Sequence, residues 1–224
     1  VEKKQIITLI KKTYAEFAKE HGFTFYKPTI LVRISEDTLH IINFDVYAHG
    51  FDCKVAIQPL FVPGEAISLS LGNRLSHLGE HSPGIWGQGN EIEVAEDFEQ
   101  VKVLLENNAL PWFEKVGHPE GLINFLSDGN FERNKDMIVG LPPFMRRLIL
   151  AMGYLNCGNT RKAASEVGIF HELTKDETKP WMLELKKLAH QINELIIKGD
   201  SGEIVQHLNR IIQETKSNLK IKIS

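Results

Sequence analysis

Apolar residues in this chain keep two different periods, and the switch between them falls near its middle. Ile30, Val32 and Ile34 alternate with Leu31 and Arg33, and SEDT (35–38) supplies a turn into LHIINF (39–44). Cys53, Val55 and Ile57 alternate with Asp52, Lys54 and Ala56, and Ile67, Leu69 and Leu71 alternate with Ser68 and Ser70. Side chains two apart share one side of a strand. Four such runs, broken by polar, Gly or Pro segments, therefore predict an antiparallel sheet across residues 23–71, with Ile30, Val32, Ile34, Val55 and Ile57 buried on one face. A one-residue slip would turn each set to water.

Helical spacing flanks the sheet. Ile6, Ile7, Ile10, Tyr14 and Phe17 share a face, and Gly22 marks a stop. SPGIWGQGN (82–90) is a loop around Trp86; after it Val94, Phe98, Val101, Leu104 and Leu105 form one stripe. Asn107 and Asn108 are expected to end that helix, and Pro111 to open a short second one. From Gly121 onward no strand pattern recurs. Phe144, Leu148, Ala151 and Leu155 make a helix opened by Pro142 and Pro143. Trp181, Leu185, Leu188, Ile192 and Leu195 predict an inward stripe that faces Ile204, Leu208 and Ile211 across GDSG (199–202), with Asp200 or Ser201 as cap. The fold class is thus α+β. An N-terminal helix, an antiparallel sheet of about four strands and a covering helix occupy residues 1–117, and an all-helical part built of helical hairpins occupies 118–224.

Composition narrows the functional classes. A hydrophobic content of 42% with 25% charged residues is that of a globular chain. Residues 1–117 carry 11 Lys/Arg against 16 Asp/Glu, and residues 118–224 carry 15 against 13. Net charges of −5 and +2 give no strongly basic face, which argues against nucleic acid as the partner. Lys3, Lys4, Lys11 and Lys12 interrupt the N-terminal apolar stretch, and no run reaches the roughly 18 apolar residues of a membrane span. Cys53 and Cys157 belong to no CxxC pair, so a reducing cytoplasm is the expected compartment.

No familiar catalytic constellation stands out. His77 and His81 are spaced i, i+4, but Gly79 lies between them and Leu78 stands where a zincin carries Glu, so no metal is expected there. Cys53 reads as a buried thiol, without a cation on its face to stabilise a thiolate. GIWGQGN lacks the strand-before, helix-after setting of a nucleotide-binding loop, and neither catalytic residues nor a cofactor are expected. Glu91, Glu93, Glu96, Asp97 and Glu99 open a helix, where carboxylates are favoured. Trp86, between Gly84 and Gly87, either plugs the open end of the sheet or stands out as a contact anchor. Asp52, Lys54, Arg74 and Trp86 are the candidate partner-binding residues, because the polar sheet face and its adjoining loop would present them together.

AMGYLNCGNTRKAASEV (151–167) supports two readings. In one, Tyr154 and Leu155 end a helix, Gly158 and Asn159 turn, and Lys162, Ala163 and Ala164 open the next, as in a tetratricopeptide-like hairpin stacked on residues 180–219. In the other, GNTRKAASEVGI resembles the first helix and turn of a helix-turn-helix, with the DNA-associated segment spanning 158–179. FHELTKDETKP would then have to form the recognition helix, which Glu172, Asp176, Glu177 and Pro180 oppose.

The order of HGFTFYK (21–27), RISEDTLHIINFD (33–45), FDCKVAIQPLF (51–61), GNRLSHL (72–78) and IWG (85–87) resembles a family of small bacterial α+β domains grouped as a domain of unknown function. Arg74 and Leu75 fit its Arg-Leu-Gly-like segment, with Ser76 in place of the glycine and Trp86 alone where a pair is usual. The resemblance spans roughly residues 5–117 and implies an α-β-β-β-α arrangement. It also implies kinship with bacterial toxin-immunity proteins, which bind and block a toxin. The expected function is a non-catalytic protein-binding module, and the resemblance implies an immunity-like inhibitor of a toxin. The alternatives are a DNA-associated regulator and an enzyme or small-ligand binder with a site at the domain junction.

Overall fold

The computed structural model describes residues 1–78, 84–127 and 141–221, so His81 of the expected histidine pair lies outside the described residues. The fold is α+β, with a helix, a 5-stranded antiparallel sheet and a helical C-terminal part. Val1–Gln58 and Ser68–His118 fall in one compact unit; Pro59–Ile67, 119–127 and 141–221 fall in another.

In the first unit, α1 (Lys3–Glu20) buries Ile6, Ile10, Tyr14 and Phe17, the side chains that recur each turn. The Gln5 side chain returns to the Glu2 backbone N–H (2.8 Å) and satisfies a donor the helix start would leave open. The strands β1 (Thr24–Lys27), β2 (Ile30–Ser35), β3 (Thr38–Tyr47), β4 (Gly50–Pro59) and β5 (Gly72–Arg74) lie side by side in sequence order.

Two expectations about the sheet need correction. Residues 61–70 hold no strand: the Gln58 side chain takes the Ser68 backbone N–H (2.9 Å), so Ile67 and Leu69 join no ladder, and only the Leu71 carbonyl, which accepts from Ile57 N (2.8 Å), meets the sheet. The outer strands are β5 and the short β1, whose register slips between Phe25 and Lys27. Nor do the five expected core residues share a face. Leu31 pairs with Ile42, and Phe44 reaches both Tyr14 of α1 and Phe51, so Leu31, Phe44, Phe51, Val55 and Ile57 lie on the helix side. Val32 points to the other side, where Leu39, Ile41 and Ala56 are also fully buried and Ile30 and Ile34 are half-buried. Both faces of the central strands are covered, which alternation alone cannot distinguish from one.

Helix α2 (Glu91–Leu104) starts on Asn90, whose side chain accepts from the Ile92 and Glu93 N–H groups, while Glu93 reaches back to Asn90 N (2.8 Å). The first part of the expected acidic run is thus helix-capping chemistry. Asn107 and Asn108 do not end the helix. A single π-helical turn (Leu105–Ala109) carries the chain into α3 (Leu110–Val116), and the wider turn keeps Leu105, Ala109, Leu110 and Phe113 all buried.

The second unit holds α4 (Pro119–Ser127), α5 (Pro143–Asn156), α6 (Thr160–Thr174), α7 (Pro180–Lys198) and α8 (Ser201–Asn218). Every residue from Leu148 to Leu155 is buried, and α5 touches α4, α6 and α8, which makes it the central helix. Gly158 takes a left-handed conformation (φ 74°) that a side chain would strain, and Asn159 caps α6 by accepting from Lys162 N (3.1 Å). The α5–α6 hairpin therefore turns where the tetratricopeptide-like pattern places it. Helix α6 then runs unbroken across Gly168 and Ile169 to Thr174, so the bend a helix-turn-helix needs there is missing. Leu60 and Phe61 are fully buried, and Thr215 of α8 donates to the Val62 carbonyl (3.4 Å), which ties Pro59–Ile67 to the helices.

Asp200 caps α8 through the Gly202 and Glu203 N–H groups (2.8 and 3.2 Å). The inward stripe of α7 is rotated from the expected one. Met182, Ala189 and Ile192 are buried, Leu185, Leu188 and Leu195 are half-buried, and Trp181 is 51% exposed against Phe144. Helix α7 packs against α6, and pliable Met182 and small Ala189 are among the side chains it buries. Ile192→Ala is accordingly expected to cost about 2–4 kcal/mol and Leu188→Ala about 1 kcal/mol, read from urea denaturation midpoints. Among the described residues no helix is long and apolar enough to cross a membrane.

Candidate functional site

Strands β3, β4 and β5 bring one group of charges together. Asp52 and Lys54 are two apart on β4 and so share a side, and Lys54 stands directly opposite Arg74 of β5. The Lys54 ammonium pairs with the Asp45 carboxylate of β3, and Asn43, two residues earlier, donates to the other Asp45 oxygen (2.7 Å). Arg74 places its Nε 2.9 Å from Asp52 Oδ2.

The four charges are not equivalent. The Asp52 side chain is 1% exposed, and neither of its oxygens receives a well-directed side-chain hydrogen bond, so the Arg74 ion pair is its chief compensation. Burial pushes the Asp52 carboxyl above its ordinary range, while the charges of Arg74 and Lys54 pull it back. The hydrogen bond from Lys54 to Asp45 holds the Lys54 ammonium above its usual value. The Arg74 side chain is 48% exposed and that of Lys54 31%. Buried Asp52 thus anchors one end of an arginine whose other face is open to a partner.

Asp52, Lys54 and Arg74 are brought together, but Asp52 is covered and acts on a partner only through Arg74. Trp86 is not part of this surface. It bridges Phe51 through both backbone bonds (2.7 and 2.9 Å), which puts its indole on the helix side, 1% exposed and stacked on the Phe51 ring (6.1 Å between centroids). Gly87 N donates to Asp97 of α2 (2.6 Å) and fixes the loop with the ring inward. Trp86 is a plug and not a contact anchor. Asp45 and Asn43 were missed as contributors; the signal was their spacing in LHIINFD, which repeats the i, i+2 pattern of Asp52 and Lys54.

Cys53 is fully buried and its thiol is pushed well up by burial, as expected for a packing residue. His77 is exposed on a single 3-10 turn, and among the described residues no cluster of three or more metal-ligating side chains occurs. No family model matches the chain, and no curated protein or solved structure shows significant similarity to it.

Proposed function

We propose that the chain is a non-catalytic protein-binding module that contacts its partner through the charged face of β3–β5, in the manner of an immunity-type inhibitor of a toxin. The observation that carries the reading is the half-exposed Arg74 held by buried Asp52. An arginine already fixed in one geometry loses little freedom on binding, and arginine is enriched among residues that dominate interface energies. Lys54, fixed by Asp45 beside it, extends the same surface. The resemblance of residues 5–117 to α+β domains with kin among immunity proteins gives the partner its class.

The test is a calorimetric titration against the protein encoded by the adjoining gene. Arg74→Lys keeps a charge for Asp52 but loses the planar fork, and Lys54→Ala removes the neighbouring cation. Together they are expected to weaken binding at least about tenfold, a loss of about 1.4 kcal/mol, with the native circular dichroism kept. Unchanged affinity in the double variant would remove this face as the contact surface. Absence of any binding by the wild-type chain would remove the immunity-type assignment.

A further inference from the structure

The helix side of the first unit, opposite the contact surface, carries charges of its own. Helix α1 holds five lysines against two glutamates, and α2 five acidic residues against one lysine. The two helices lie alongside each other and run the same way. Lys4, Thr8 and Leu9 line one groove of about 490 Å³ with Glu91 and Ala95, and further along Tyr14 reaches the Phe98 carbonyl (3.0 Å). Lys4, Thr8 and Lys12 recur every four residues along α1, and Glu91, Ala95 and Glu99 do so along α2; all six are exposed. Lys102 of α2 is taken by Glu106 (3.9 Å), but among the described residues Lys4, Lys12, Glu91 and Glu99 have no ion-pair partner. Ile92 and Val103, 73% and 51% exposed, stand at i and i+11 on the same side of α2 as Glu99.

A basic and an acidic strip of equal pitch, side by side, are complementary to themselves. A two-fold axis along the helix pair, in the plane of contact, lays α1 of each copy over α2 of the other at the same height. Lys4 then meets Glu91 and Lys12 meets Glu99, each twice, and small Thr8 and Ala95 between them let the helices close. An axis across the helices would set lysine on lysine. We propose that this face joins two copies of the chain in a symmetric dimer. A foreign partner would need the same two strips at the same spacing, whereas a second copy supplies them by construction. The exposed Ile92 and Val103 are covered by α1 of the second copy. Helices of 18 and 14 residues are about 27 and 21 Å long, so the pair offers about 500 Å² on each copy, about 1,000 Å² in all. That is the lower bound for a specific interface, and the dimer is accordingly reversible. The β3–β5 surface, on the other side of the sheet, stays open in it.

Sedimentation velocity of the chain from about 10 µM to about 1 mM is expected to show monomer giving way to dimer. Lys4→Glu with Lys12→Glu sets acid on acid, and Glu91→Lys with Glu99→Lys sets base on base. Each double variant alone is expected to associate at least about tenfold more weakly than the wild type. An equimolar mixture of the two is expected to recover the wild-type affinity, because every α1–α2 pairing in the mixed dimer is again between opposite charges. Glu91→Gln with Glu99→Gln is milder at the start of α2; it removes attraction without adding repulsion and is expected to weaken association about fivefold. A wild-type chain that stays monomeric to about 1 mM would overturn the second copy as occupant. So would unchanged association in the glutamine variant, or a mixture that fails to recover while both reversed variants keep the native circular dichroism.

Discussion

Trp86→Ala is expected to lower unfolding stability by about 3–5 kcal/mol, the cost of deleting a buried aromatic side chain. The indole ends a continuous series of rings. It stacks on Phe51, Phe51 stacks on Phe98 of α2 (4.8 Å, 13°), Phe44 lies beside Phe51 (6.0 Å), and Tyr14 of α1 leans on Phe44 (4.7 Å). The Tyr14 hydroxyl then donates to the Phe98 carbonyl (3.0 Å), joining α1 to α2 on the same side of the sheet. Removing Trp86 opens a cavity at the rim of this group, and neighbours pinned by the Phe51 backbone bridge cannot collapse into it. Trp86→Phe is expected to cost much less, about 1–2 kcal/mol, because the indole Nε1 is buried without a hydrogen-bond partner and its loss leaves no acceptor stranded. Guanidinium denaturation of both variants checks this. Equal midpoints for Trp86→Ala and wild type would show that the ring is not part of the core.

The helical unit offers a test of similar size. Phe170→Ala is expected to cost about 3–5 kcal/mol, and Ile169→Ala no more than about 0.5 kcal/mol. On an unbroken α6, Ala163, Val167, Phe170 and Thr174 fall on one buried face, and Ile169 and Leu173 turn outward. A bend at Gly168 would send these two sets in other directions. Thermal melts of the two variants therefore report directly whether the chain continues as one helix through residues 168 and 169.

The sequence was legible where period and chemistry agreed. Ile6, Ile10, Tyr14 and Phe17 recur at helical spacing and are the buried face of α1; Gly158 and Asn159 carry the turn residues the α5–α6 hairpin requires. Legibility failed where two arrangements satisfy one pattern. Strand alternation does not say whether the opposite face is also covered, so Leu39, Ile41 and Ala56 escaped notice. Asn107 and Asn108 disfavour a helix, yet a π turn accommodates them because Leu105 and Ala109 gain burial. In α7 the heptad step through Trp181 and Leu188 and the adjacent step through Met182 and Ala189 are both apolar, so period alone does not decide between them. In the candidate site the type and spacing of Asp52 and Lys54 were visible. Their exposure was not, since it depends on strands β3 and β5 brought alongside.

The direct test of the contact surface is amide chemical-shift mapping of the labelled chain titrated with the adjoining gene's product. The largest changes are expected at Asn43, Asp45, Lys54 and Arg74, with Trp86 and the residues of α5–α8 little affected. Changes confined to residues 143–218 would contradict this expectation and place the contact on the helices.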